Sequence, residues 1–284
     1  MKRFGLFVSA VILAACGGEE PEPLVFDFPT ATEIRLPERA PGQRDFLLSQ
    51  APDGRGFVFT RMAGNNDMRL LLVDDPTEPS APEFAFPGER GDADAVFAPS
   101  GDRVLFMSVD RHQDDARTDF DLYEATWKRG KLGTPRPIDA LNTEYDEVFP
   151  AIALDGTIVF ASPRPGSMGG QDLYQATPSA DGYTVRKLDE INSTASDNNP
   201  LLFPDGNTLI FYSGRPRGYG AVDLYVSRRQ GDGQWSEPVN LGPEVNTAEG
   251  EYAPSLSADG KVLFFSRGPA VYGINISAIQ ALAN

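Results

Sequence analysis

The chain has 284 residues, a formal net charge of −16, one cysteine and one histidine. So acidic a surface repels phosphate, which disfavours nucleic acid and anionic lipid headgroups as partners. A lone thiol excludes an internal disulfide, and a lone histidine disfavours histidine-rich zinc sites and Ser-His-Asp or Cys-His catalysis.

At the start, Lys2 and Arg3 precede an apolar run from Phe4 to Leu13, followed by the small residues Ala14 and Ala15. This is the pattern of an export signal over 1–15, and the run is too short to span a bilayer. Leu13-Ala14-Ala15-Cys16 resembles the bacterial lipobox, which implies lipidation of Cys16 and, with Gly17 after it, outer-membrane sorting in a Gram-negative cell. Removing 1–15 takes away two positive charges and no acid. Residues 16–30, rich in Pro, Gly and Glu, read as the lipidated cysteine and a flexible tether. Residues 31–284 are long enough for one large domain.

Within 31–284 a turn signal recurs roughly every 50 residues, the spacing of a repeat architecture. It appears at Asp53-Gly54, Ser100-Gly101, Asp155-Gly156, Asp205-Gly206 and Asp259-Gly260. Asp-Gly between apolar runs predicts a hairpin, with φ > 0 at both residues of a type I′ turn. After each turn comes an apolar strand centred on Phe59, Phe106, Phe160, Phe211 or Phe264. A third strand opens at Asp121-Leu122-Tyr123, Asp172-Leu173-Tyr174 and Asp223-Leu224-Tyr225, and a fourth follows in TPRPI, YTVRKL and SEPVNL. First strands are expected to begin near Phe46, Ala95, Val148, Pro200 and Tyr252. Four short antiparallel strands per unit, repeated radially, define a propeller blade.

The fold expected is therefore all-β: a five-bladed β-propeller of four-stranded antiparallel blades, near 45–87, 92–139, 147–188, 197–241 and 251–279. The last unit lacks a fourth strand, and 31–37 (ATEIRLP) looks like the fourth strands elsewhere. It is expected to close the last blade and remove an exposed sheet edge. The segments APSLSADGKVLFFS, SGRPRGYGAVDLYVSRR and GQWSEPVNLGPEVNT resemble the TolB-type, WD-like propeller repeat of bacterial envelope proteins, most strongly over roughly residues 140–270. That resemblance implies a periplasmic location and a protein-binding role.

Two columns of residues mark a candidate site. Asp45, Asp92, Glu147, Asp197 and Glu251 each stand eight residues before a turn, at the start of a first strand. Arg61, Arg111, Arg164, Arg215 and Arg267 follow the second strands, on the same face of an antiparallel meander. Either the acids are bonded to arginine or backbone N–H groups and lock neighbouring blades, or they keep free charge at the channel mouth and attract a cation or basic peptide. Calcium is the one ion this pattern suggests; no other cofactor is expected. Asn142, Asn192 and Asn246 each precede an acid by five residues. Loops 163–171 and 214–222 carry Gly, Arg, Met168 and Tyr219, a composition suited to contacts.

His112 lies in the polar stretch DRHQDDARTD and reads as a solvated loop residue. Trp235 reads as a packing aromatic or a sugar-stacking platform. Pro165 spoils a G-x-S-x-G elbow at GSMGG, and no P-loop is present. No catalytic residue is assigned. The expectation is a monomeric outer-membrane lipoprotein facing the periplasm, whose propeller binds an envelope protein or peptide and meets the membrane only through its lipid. The alternative is a carbohydrate-binding or glycoside-hydrolysing five-bladed propeller.

Overall fold

Hydrophobic runs four to six residues long, separated by Gly-containing turns, can bury themselves only as packed sheets, and five such sheets are present. The computed structural model describes residues 24–37, 39–64, 67–77, 81–111 and 118–283. Residues 1–23, with the expected export signal and Cys16, and His112 lie outside the described residues.

In chain order, β1 (Thr32–Ile34) precedes the first blade, formed by β2 (Arg44–Gln50), β3 (Phe57–Ala63), β4 (Asp67–Val73) and β5 (Glu83–Phe84). The second blade has β6 (Asp92–Phe97), β7 (Arg103–Ser108), β8 (Asp121–Lys128) and β10 (Arg136–Pro137), and β9 (Lys131–Leu132) pairs with the far end of β8. The third contains β11 (Val148–Ile152), β12 (Ile158–Ser162), β13 (Asp172–Ser179) and β14 (Gly182–Lys187). The fourth contains β15 (Asp197–Leu202), β16 (Thr208–Ser213), β17 (Asp223–Arg228) and β18 (Val239–Asn240). The last sheet has the order β1-β21-β20-β19, from β19 (Glu251–Leu256), β20 (Val262–Arg267) and β21 (Ala270–Asn275). Thr32, Glu33 and Ile34 pair antiparallel with Gly273, Tyr272 and Val271, so an N-terminal strand closes the ring.

Phe59, Phe106, Phe160, Phe211 and Phe264 are fully buried between the sheets. Each such side chain contributes about 1.5–3 kcal/mol relative to exposure. The tether reading extended to residue 30, but the chain is already docked from Leu24. Phe28 and Asn275 exchange two hydrogen bonds, from the Phe28 N–H to the Asn275 side chain and from the Asn275 N–H to the Phe28 carbonyl. Phe26 packs edge-on against Phe57 and Phe264, at 5.9 and 5.6 Å. Apolar Leu24, Phe26 and Phe28 thus overcome the surrounding prolines and acids.

The hairpin turns differ from the I′ expectation. Gly54, Gly101, Gly156, Gly206 and Gly260 take positive φ, whereas the preceding Asp or Ser does not. Each glycine N–H donates to the carbonyl three residues earlier, as from Gly54 to Ala51 and from Gly260 to Ser257. The aspartate serves another purpose: its carboxylate accepts the N–H two residues on, as in Asp155–Thr157 at 2.8 Å and Asp205–Asn207 at 2.9 Å. Asx bonding, not tolerance of positive φ, selects aspartate there.

Every first strand carries a β-bulge. Between Val148 and Ala151 the partner strand advances only from Ala161 to Val159, and the same shift recurs in the other four blades. The extra residue is Leu47, Asp94, Phe149, Asn199 or Ala253, each with φ between 45° and 56°. Pro150, Pro200 and Pro254 come next, at a point where no ladder N–H is required. The bulges also explain why β6 and β15 begin at Asp92 and Asp197 rather than near Ala95 and Pro200: the unpaired residue breaks the alternation that marks a strand.

Candidate functional site

The two columns meet, one acid to one arginine, within each blade. Arg61 reaches Asp45 at 2.7 Å, Arg111 reaches Asp92 at 2.6 Å, and Arg164 reaches Glu147 at 2.7 Å. Arg215 reaches Asp197 at 2.9 Å and Arg267 reaches Glu251 at 2.7 Å. All five acids are buried, at 0–2% exposure. Each guanidinium lies over an aromatic ring: Arg164 is 5.1 Å from Phe160 and 4.9 Å from Tyr174, and Arg215 is 5.3 Å from Phe211 and 4.9 Å from Tyr225. For Asp92, burial outweighs the favourable Arg111 contact and pushes the carboxyl above its ordinary pKa.

The Asn-Thr and Asn-Ser pairs complete a latch between blades. Asn142, Asn192 and Asn246 each accept the N–H and donate to the carbonyl of Leu122, Leu173 or Leu224 in the blade just completed. The next residue, Thr143, Ser193 or Thr247, donates its N–H and hydroxyl to the acid of the following blade. The arginine of that following blade donates back to the carbonyl of Leu141, Ile191 or Val245. In the first blade, Arg61 donates likewise to the Pro37 carbonyl.

Of the two alternatives, these carboxylates take the bonded state and form no open, charged mouth. They sit beneath the loops, covered by ring-stacked guanidinium groups, with their oxygens taken up by neighbours. Among the described residues there is no group of three or more His, Cys, Asp or Glu that could hold a metal ion.

On the same face, the loops between second and third strands are rigidly built in blades three and four. Asp172 accepts the N–H groups of Met168 and Gly169, and Asp223 those of Tyr219 and Gly220. Gly169 and Gly220 press against backbone atoms of the next blade, at Ala195 and Thr247, where a Cβ would collide. The outcome is two equivalent loops that hold Met168 and Tyr219 out to solvent, 47% and 51% exposed. The opposite face has an apolar hollow of about 270 Å³ lined by first-strand ends and turn prolines, among them Pro52, Pro99 and Pro204.

Trp235 is no sugar platform. It is 3% exposed, its Nε1–H donates to Gln175, and Arg229 lies 4.8 Å over its ring.

The residues that sequence reasoning missed are the five bulge positions, which converge on the ring axis. Leu47, Asp94, Phe149, Asn199 and Ala253 line a cavity of about 10 Å³ together with neighbouring prolines. Asp94 is 3% exposed, and no hydrogen-bond partner of its Oδ2 exists among the described residues. Burial alone lifts its carboxyl to about 7. The available signal was positional: each bulge residue stands two after a column acid.

No protein-family model matches the chain, and no curated protein matches it. Solved structures do. A putative TolB from Agrobacterium tumefaciens superposes with a TM-score of 0.52 at 18% identity, covering 78% of this chain and 69% of that one. TolB from Acinetobacter baumannii gives 0.51 at 15% identity, covering 81% and 54%, so the chain spans about half of that protein. A gluconolactonase from Xanthomonas campestris gives 0.52 at 13% identity, covering 88% and 94%. At such identities the likeness is one of fold. The chain is a five-bladed β-propeller, with the kind of fold that TolB proteins share.

Proposed function

We propose that this propeller is a lipid-anchored scaffold of the bacterial cell envelope that binds a protein or peptide through the loop face bearing Met168 and Tyr219. The observation that carries this reading is the pair of equivalent loops, each fixed by a buried aspartate and each presenting one large apolar side chain. Rigid loops with exposed apolar tips lose little entropy on docking. The acid and arginine columns are read here as the frame beneath that surface.

The route of the chain favours the same face. The Leu24 N–H donates to the Gly54 carbonyl, in the turn on the opposite side of the disc. Seven residues lie between Cys16 and Leu24, a reach of at most about 29 Å. A lipid on Cys16 would hold the turn face toward the membrane and leave the loop face looking away from it. An outer-membrane position facing the periplasm rests on the lipobox resemblance at Cys16 and on Gly17 after it.

Crosslinking in intact cells tests the binding role. Met168→Asp and Tyr219→Asp, in protein that still folds, should each lose the partner captured by the wild type, whereas Val239→Asp should keep it. Retention in both loop variants refutes the loop surface. Cys16→Ser should move the protein from the membrane to the soluble fraction, and no movement refutes the anchor.

A further inference from the structure

A carboxylate buried at the ring axis with an unpartnered oxygen is costly unless something cationic meets it. Asp94 is such a group. It is 3% exposed, sits at φ 52° in the β6 bulge, and faces the small axial cavity. Its N–H is satisfied by Thr60 Oγ1 at 2.9 Å, so the backbone is pinned while Oδ2 is left over. Asn199, the equivalent residue of the fourth blade, lines the same cavity. Its Oδ1 accepts the Ala253 N–H at 3.1 Å and retains a second lone pair.

We propose that Asp94 and Asn199 form an axial binding site for one small monovalent cation of the sodium or potassium class. Three observations select that ligand. The cavity, about 10 Å³, has room for a species the size of a water molecule. Among the described residues Asp94 is the one titratable side chain lining it, so a single positive charge neutralises the site and a divalent ion would leave an excess. A site with one carboxylate and one side-chain amide oxygen is also unlike the carboxylate-rich cages that calcium requires. The overall charge of −16 raises the local concentration of cations. This site is separate from the five acids of the latch, whose charges are already paired, and it does not depend on the binding role proposed above.

The test uses the purified full-length chain at pH 8 and constant ionic strength. Replacing choline chloride by sodium chloride or potassium chloride should raise Tm by a few degrees. Asp94→Asn should abolish that rise, while Glu237→Gln, an exposed acid, should keep it. Asparagine already occupies the equivalent bulge at Asn199, so the variant is expected to fold. Independently of any variant, 23Na line broadening by the wild-type protein should be reversed by excess potassium. A rise of equal size in Asp94→Asn, or the absence of both the rise and the broadening, would overturn the site. A larger rise with calcium that survives in Asp94→Asn would place the ion elsewhere and would equally refute it.

Discussion

Replacing Asp94 by asparagine should stabilise the protein at alkaline pH and not at acid pH. The carboxyl is held near 7 by burial, against an ordinary value of about 3.9. Because the folded pKa is raised, the folded state binds the proton more tightly than the unfolded state. Stability therefore falls as pH rises from about 4 to about 7 and is level above that. Three units correspond to about 4 kcal/mol at most. Asparagine keeps the shape and tolerates the left-handed backbone, as Asn199 does at φ 45°. Its buried amide leaves hydrogen bonds unmade, which costs about 1–3 kcal/mol. The net expectation is a gain of about 1–3 kcal/mol at pH 8 and a small loss at pH 4. Urea unfolding followed by tryptophan fluorescence in choline chloride, at both pH values, measures the difference. Parallel pH profiles for the two proteins, or a variant less stable at pH 8, would refute the reasoning. In sodium chloride the gap at pH 8 should narrow.

Other perturbations probe the latch and the closure. Arg215→Met strands Asp197 in the interior and should cost about 3–5 kcal/mol by urea midpoint, whereas replacing both members by apolar residues should cost far less. Phe28→Ala, next to the closing strand, should lower stability by about 3–5 kcal/mol, and faster hydrogen exchange in β21 should localise the damage. Trp235→Ala should lower Tm through lost packing without changing binding on a glycan array; a selective loss of glycan binding would restore the sugar-platform reading.

Repetition made the architecture legible. Five turns, five buried phenylalanines and the Asp-Leu-Tyr openings fixed blade number and strand order, and the fourth-strand look of 31–37 pointed to closure. The acid and arginine columns were legible as columns, but their state was not: whether a carboxylate is open or covered depends on the loop above it. The bulges were hidden for a different reason. A residue that slips out of the ladder destroys the alternation by which strands are recognised, so nothing in the sequence sets Asp94 apart from the neighbouring acids. The glycine turns misled in the opposite direction, since Asp-Gly serves both a primed turn and an Asx-bonded one. Leu24 to Phe28 were masked by composition, because three apolar side chains among prolines and acids decide docking only once a groove is available.

Closure by β1 has a consequence for how the protein is made. The Phe28 N–H bonds to Asn275, 247 positions later in the chain. β1 pairs with residues 271–273, so the earliest segment has no mate until that stretch of β21 has been made. A copy lacking β1 or β21 would display a raw sheet border.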